Sequence, residues 1–118
     1  MRLGISGHRG LPEASEKLVR AALGAVVERY DAGSLVGVRC LAEGPDTWFA
    51  EAVLDHGGRV EAVHEGGGEA LVGAVDRLLA VWDGRPAPEY GETANVVAYA
   101  ERTGVPILVI WPDGATRD

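Results

Sequence analysis

The sequence predicts an α/β chain in which about five mostly parallel strands are covered by helices on both faces. Three observations lead there. Short apolar runs alternate with segments whose apolar residues recur at helical spacing. Two of the runs, RLLAVW (77–82) and VPILVIW (105–111), are apolar almost without a break, as strands become when helices lie on either side of them. Glycine is abundant, 17 of 118 residues, which suits many tight connections between the elements.

Residues 2–6 (RLGIS) read as the first strand. Pro12 suits a first helical turn, where its missing N–H costs nothing. The helix over 13–30 then carries Leu18, Ala21, Ala22, Ala25 and Val26 on one face. Ala32–Gly33–Ser34 ends it, and LVGVRCLA (35–42) is the second strand. The turn EGPD (43–46) leads into a helix over 47–56, with Asp46 as its N-cap and His56–Gly57–Gly58 as its close. RVEAV (59–63) is the third strand. Gly66, Gly67 and Gly68 precede a short helix over 69–76, which feeds the fourth strand, RLLAVW. After the loop 83–92 comes a helix over 93–103, then the last strand, VPILVIW, expected to be buried. Right-handed crossovers and the general pattern of this architecture suggest the strand order 3-2-1-4-5, hence a Rossmann-like, doubly wound sheet. No repeat or low-complexity linker divides the chain, so residues 1–118 are read as one domain.

Composition narrows the partners. The formal net charge of −7 argues against a long nucleic acid, which needs a broad basic face. It leaves room for one small anion held by local donors. Cys40 is the only cysteine, so no internal disulfide forms. No long apolar run or signal-peptide pattern is present, so a cytoplasmic protein without a membrane partner is expected. His8, His56 and His64 lie on different segments without paired-ligand spacing, so no metal or other cofactor is expected.

Ligands of such sheets bind beyond the carboxyl ends of the strands. Glycines, acids, arginines and tryptophans gather at that edge: SGHRG, AEGPD, WDGRPAPEYGET and WPDG. Gly7 and Gly10 permit close backbone approach, His8 offers ring nitrogens, and Arg9 adds charge-assisted bonds to phosphate. The helix that follows turns its N–H groups toward the same loop. The alternative is a plain strand-to-helix turn with a solvated Arg9. Gly44 again permits approach, and Glu43 or Asp46 suits ribose hydroxyls, although Asp46 has its capping role as a competing explanation. Trp82, followed by Asp83 and Gly84, is the best placed tryptophan to stack on a base. Gly91 and Thr93 start a second helix facing the crevice, and two convergent helix N-termini favour phosphate more than one does.

In this order SGHRGL, AEGPDTWFAEAV, LLAVWDGRPAPEYGETANVVAYA and GVPILVIWP resemble the SLOG superfamily, with a nearer likeness to its small actinobacterial members. That group includes the Lonely Guy phosphoribohydrolases, DNA-processing proteins of the same fold and nucleotide-sensing domains. The resemblance spans nearly the whole chain and implies a Rossmann-like fold that binds nucleotides or their ribosyl derivatives. By position, Gly7, His8 and Arg9 match the first ligand loop, Glu43, Gly44 and Asp46 the second, and Gly91 and Thr93 the phosphate loop. Relatives commonly pair through helices, which implies a homodimer or higher homo-oligomer. Hydrolytic members carry a glycine-glycine-x-glycine-threonine loop followed closely by a glutamate. Here Asn95 stands where that carboxylate is expected, and Glu92 lies on the other side of Thr93. An amide orients a ribose but is no general base.

Three readings follow. The first is binding or sensing of a nucleotide-like ligand. The second is hydrolysis or transfer at an N-glycosidic bond, with Glu92 or Glu43 as the carboxylate. The third is a degenerate domain that acts only in assembly.

Overall fold

The computed structural model describes residues 1–40, 44–85 and 93–117. Strand β1 (Arg2–Gly7) leads to α1 (Glu13–Val27), a 3₁₀ turn (Ala32–Ser34) and β2 (Val36–Cys40). Then come α2 (Pro45–His56), β3 (Arg59–Val63), α3 (Gly67–Gly73), β4 (Arg77–Val81), α4 (Thr93–Thr103) and β5 (Ile107–Ile110). The five strands form one sheet in the order β3-β2-β1-β4-β5, and every neighbouring pair is parallel. This is the Rossmann-like arrangement that the alternation predicts. The chain moves outward from β1 to β3, then jumps back past β1 to β4, so the order reverses between β1 and β4.

Side-chain alternation along the strands divides the core between two faces. Leu3 and Ile5 of β1 and Leu79 and Val81 of β4 face Val19 and Leu23 of α1 and Phe49 and Val53 of α2. Val36, Val38 and Leu78 face the other way, toward Leu71 and Val72 of α3 and Ala100 of α4. Glycines stand where helices come closest. A Cβ on Gly37 would lie 2.9 Å from Val53 Cγ2 and 3.0 Å from Phe49 Cε2, so α2 lies directly on the β2 backbone.

Several boundaries differ from the expected ones. Helix α1 stops at Val27 rather than residue 30, because Arg29 N–H and Tyr30 N–H tighten to the carbonyls of Val26 and Val27. Pro12 lies just before that helix instead of in its first turn, and its carbonyl accepts the Glu16 N–H. Helix α2 begins at Pro45, so Asp46 is not its N-cap. Gly44 takes that position at φ 78°, and Pro45 follows with the fixed φ that a first helical residue needs. At its other end Gly57 adopts φ 103°, and the N–H groups of Gly57 and Gly58 close on Leu54 and Val53 as expected. Helix α3 starts two residues early, because Gly66 and Gly67 both take positive φ, 84° and 53°, and turn the chain at once. Strand β5 is shorter than expected and only partly buried, with Ile110 in the core. It is an edge strand, and Val109 is 47% exposed. Among the described residues no helix is long and apolar enough to cross a membrane.

Candidate functional site

The reversal between β1 and β4 opens a cleft of about 500 Å³ at the carboxyl ends of the strands. Ser6, Gly7 and Arg9 enter it from the end of β1, Cys40 from β2 and Asp46 from the first turn of α2. Thr93 and Val96 of α4, Gly68 and Leu71 of α3, and Arg117 complete the wall. Four of the residues singled out from the sequence, Gly7, Arg9, Asp46 and Thr93, therefore share one cleft. Thr93 and Asp46 are almost wholly buried, whereas Arg9 is exposed at the mouth. Helix α4 opens at Thr93, which lines this cleft.

Other expectations move. His8 lines no part of the cleft. It is 4% exposed and ties two loops together. Its backbone N–H reaches Val81 O at 3.1 Å, and its Nε2 meets the Asp83 N–H at 3.2 Å and Asp83 Oδ1 at 3.4 Å. A neutral ring accepts the N–H there, and a protonated one faces the carboxylate. Gly10 lies outside the cleft, at φ 72° with open space around it. Gly44 serves the turn into α2 and lies against the Arg9 backbone, with its Cβ position 3.8 Å from Arg9 Cα. Asn95 opens onto a different groove, beside Tyr99 and Arg102. Thr93 and Asn95 are two residues apart, about 200° around a helix, so both cannot face the sheet. Trp82 does not line the cleft either; its Nε1 donates to Arg85 O at 2.9 Å. Glu43, Gly91 and Glu92 lie outside the described residues.

Gly7 has a structural duty beyond approach to a ligand. A Cβ there would stand 2.8 Å from both Pro45 Cβ and Val81 Cβ. The glycine lets the start of α2 and the end of β4 close on β1, and this contact shapes the floor of the cleft.

A second cleft, about 510 Å³, adjoins the first and shares Arg9 and Arg117 with it. Asp83, Arg85 and Trp111 also line it. Sequence reasoning assigned no role to Arg117 or Ser15, because only the return of the chain brings them in. The buried Ser15 hydroxyl donates to Thr116 O at 2.7 Å and accepts the Thr116 N–H at 2.8 Å. This double bond pattern fixes the segment after β5 against the first turn of α1, which already holds Glu13 and Glu16.

Electrostatics distinguishes the groups. Burial pushes the Asp83 carboxyl up, but the Arg85 N–H at 3.0 Å, the His8 ring and the Arg117 guanidinium outweigh it. The net effect is a pKa below the ordinary 3.8. Its ionised form therefore stabilises the fold fully above that value, and the contribution is lost as pH falls through the lowered one. In acid unfolding, Asp83→Asn should lose stability less steeply than the parent below about pH 4. Parallel curves in a urea series taken at stepped pH would contradict this assignment. The Cys40 thiol is pushed up by burial and by Asp46, against a smaller opposite pull from Arg39, so it is no activated nucleophile. Among the described residues no three His, Cys, Asp or Glu side chains gather as metal ligands.

Fold and cleft together define a Rossmann-like α/β protein with a polar crevice at its switch point. No protein-family model matches the chain, and no curated protein matches it.

Proposed function

We propose that the chain binds a nucleotide, or a nucleotide-derived ribosyl phosphate, in the first cleft. One observation carries this reading: Gly7, Arg9 and Thr93, far apart in sequence, line the same crevice at the reversal of strand order. The N–H groups at the start of α4 and the Arg9 guanidinium supply donors for a phosphate. Asp46 supplies an acceptor for ribose hydroxyls, and Leu71 and Val96 give the apolar wall that a base needs. The same assignment agrees with the SLOG resemblance, which we carry forward as part of the proposal. Hydrolysis would rest on Glu43 or Glu92, which lie outside the described residues. Binding is therefore the function proposed.

Thermal-shift titration with nucleoside monophosphates and their nucleosides tests it. At 100 times the dissociation constant a ligand adds about 2.7 kcal/mol of stability. Arg9→Ala should weaken the monophosphate roughly tenfold and leave the nucleoside unchanged, as loss of one charge-assisted contact requires. Equal loss for both, or a panel without any shift, would overturn the reading.

A further inference from the structure

We propose that the second cleft is a subsite for a polyphosphate chain, so that the ligand is a nucleoside di- or triphosphate rather than a monophosphate. This rests on the nucleotide reading of the first cleft. Among the described residues, Arg9, Arg85 and Arg117 line the second cleft against one carboxylate, Asp83. That excess of positive charge occurs in a chain with 18 acidic and 11 basic side chains. The one carboxylate is committed. Its Oδ1 accepts the Arg85 N–H at 3.0 Å and lies against His8, and its Oδ2 is 3.7 Å from Arg117. Among the described residues Arg9 and Arg85 have no carboxylate partner at ion-pair distance. By contrast Arg2 is paired with Glu61, and Arg20 with Glu16 and Glu51.

The arrangement is also continuous. Arg9 and Arg117 belong to both clefts, so a phosphate held at the mouth of the first already touches the entrance to the second. The next phosphates of the chain then meet Arg85. The Ser15–Thr116 pair holds the segment that carries Arg117 in place, and the Trp82 Nε1 bond to Arg85 O holds the backbone beneath Arg85. The cations are thus set on fastened backbone, which lowers the ordering cost of binding an extended anion.

The test compares mono- and triphosphates of adenosine, guanosine, cytidine and uridine, together with inorganic tripolyphosphate, by isothermal titration. A triphosphate should bind at least tenfold more tightly than its monophosphate. Arg85→Gln should remove that advantage and leave the monophosphate constant unchanged, since Arg85 lines only the second cleft. Both bonds that hold its backbone are main-chain on the Arg85 side, so the substitution keeps them. Arg117→Gln should weaken both ligands. Equal affinity for mono- and triphosphates, with Arg85→Gln silent, would overturn the subsite and leave the nucleotide reading standing. Tripolyphosphate binding without any nucleoside preference would keep the subsite and overturn the nucleotide reading. No binding by any probe would overturn both.

Discussion

Phe49→Ala should destabilise the protein by about 3–5 kcal/mol, the usual range for removing a fully buried ring. The upper part of that range is expected here. Phe49 has no exposed surface, and it lies among Leu3, Ile5, Val19, Leu23 and Val53 where α1 and α2 meet the sheet. Its ring covers Gly37, so the strand beneath has no side chain that can swing into the void. A cavity that cannot collapse keeps its full cost. Against a typical total of about 5–15 kcal/mol, roughly a quarter or more of the stability would go. Urea unfolding should show the midpoint falling with the slope unchanged. The site should suffer with the fold, because α2 carries Asp46 into the first cleft on its opening turn. A loss below about 2 kcal/mol would mean that the sheet and helix close over the gap, contrary to the packing described.

The fold was legible because its signals are local and repeated. Leu3, Ile5, Leu79 and Val81 alternate across the sheet with residues that face the other helices, and chirality rules left few topologies to consider. Boundaries failed where two local signals competed. Asp46 is a favoured capping residue, and it hid the stronger pair beside it, a glycine free to take positive φ followed by a proline at the first helical position. In β5, apolar composition read as burial. Composition does not reveal that one face of an edge strand lies open, as it does at Val109. The site divides in the same way. Gly7, Arg9, Asp46 and Thr93 stand at element ends, so placing the elements placed them. Asn95 opens onto another groove because of its helical phase, and Trp82 lines neither cleft, its indole N–H donating to the Arg85 carbonyl. Trp111, which packs edge-on against His8 with ring centroids 5.8 Å apart, lines the second cleft instead. Arg117 was out of reach altogether, since its position depends on a contact between Ser15 and Thr116 across most of the chain.

Gly7→Ala should cost about 2–3 kcal/mol even in the absence of ligand, at the upper end of what overpacking a tight contact costs. Two explanations of this glycine make different predictions. If it only lets a ligand approach the backbone, a methyl group there harms binding and spares the unliganded protein. If it lets α2 and β4 close on β1, the free protein is destabilised. The distances favour the second. The added Cβ would stand 2.8 Å from Pro45 Cβ, 2.9 Å from Pro45 Cγ and 2.8 Å from Val81 Cβ. Neither neighbour ends in a flexible chain that can turn away. The proline ring is locked at the first helical position behind a Gly44 held at φ 78° and ψ −129°, and Val81 Cβ is fixed to a paired strand. Relief therefore requires α2 to lift or β1 and β4 to part, and either movement reshapes the cleft. Gly24→Ala provides the comparison. That glycine lies inside α1 with nothing within 4 Å of its Cβ position, and alanine there should stabilise the helix by up to about 1 kcal/mol. Chemical denaturation of both variants reads the difference directly. If Gly7→Ala unfolds at the same denaturant concentration as the parent, the close contact of α2 with the end of β1 is not what selects glycine at this position.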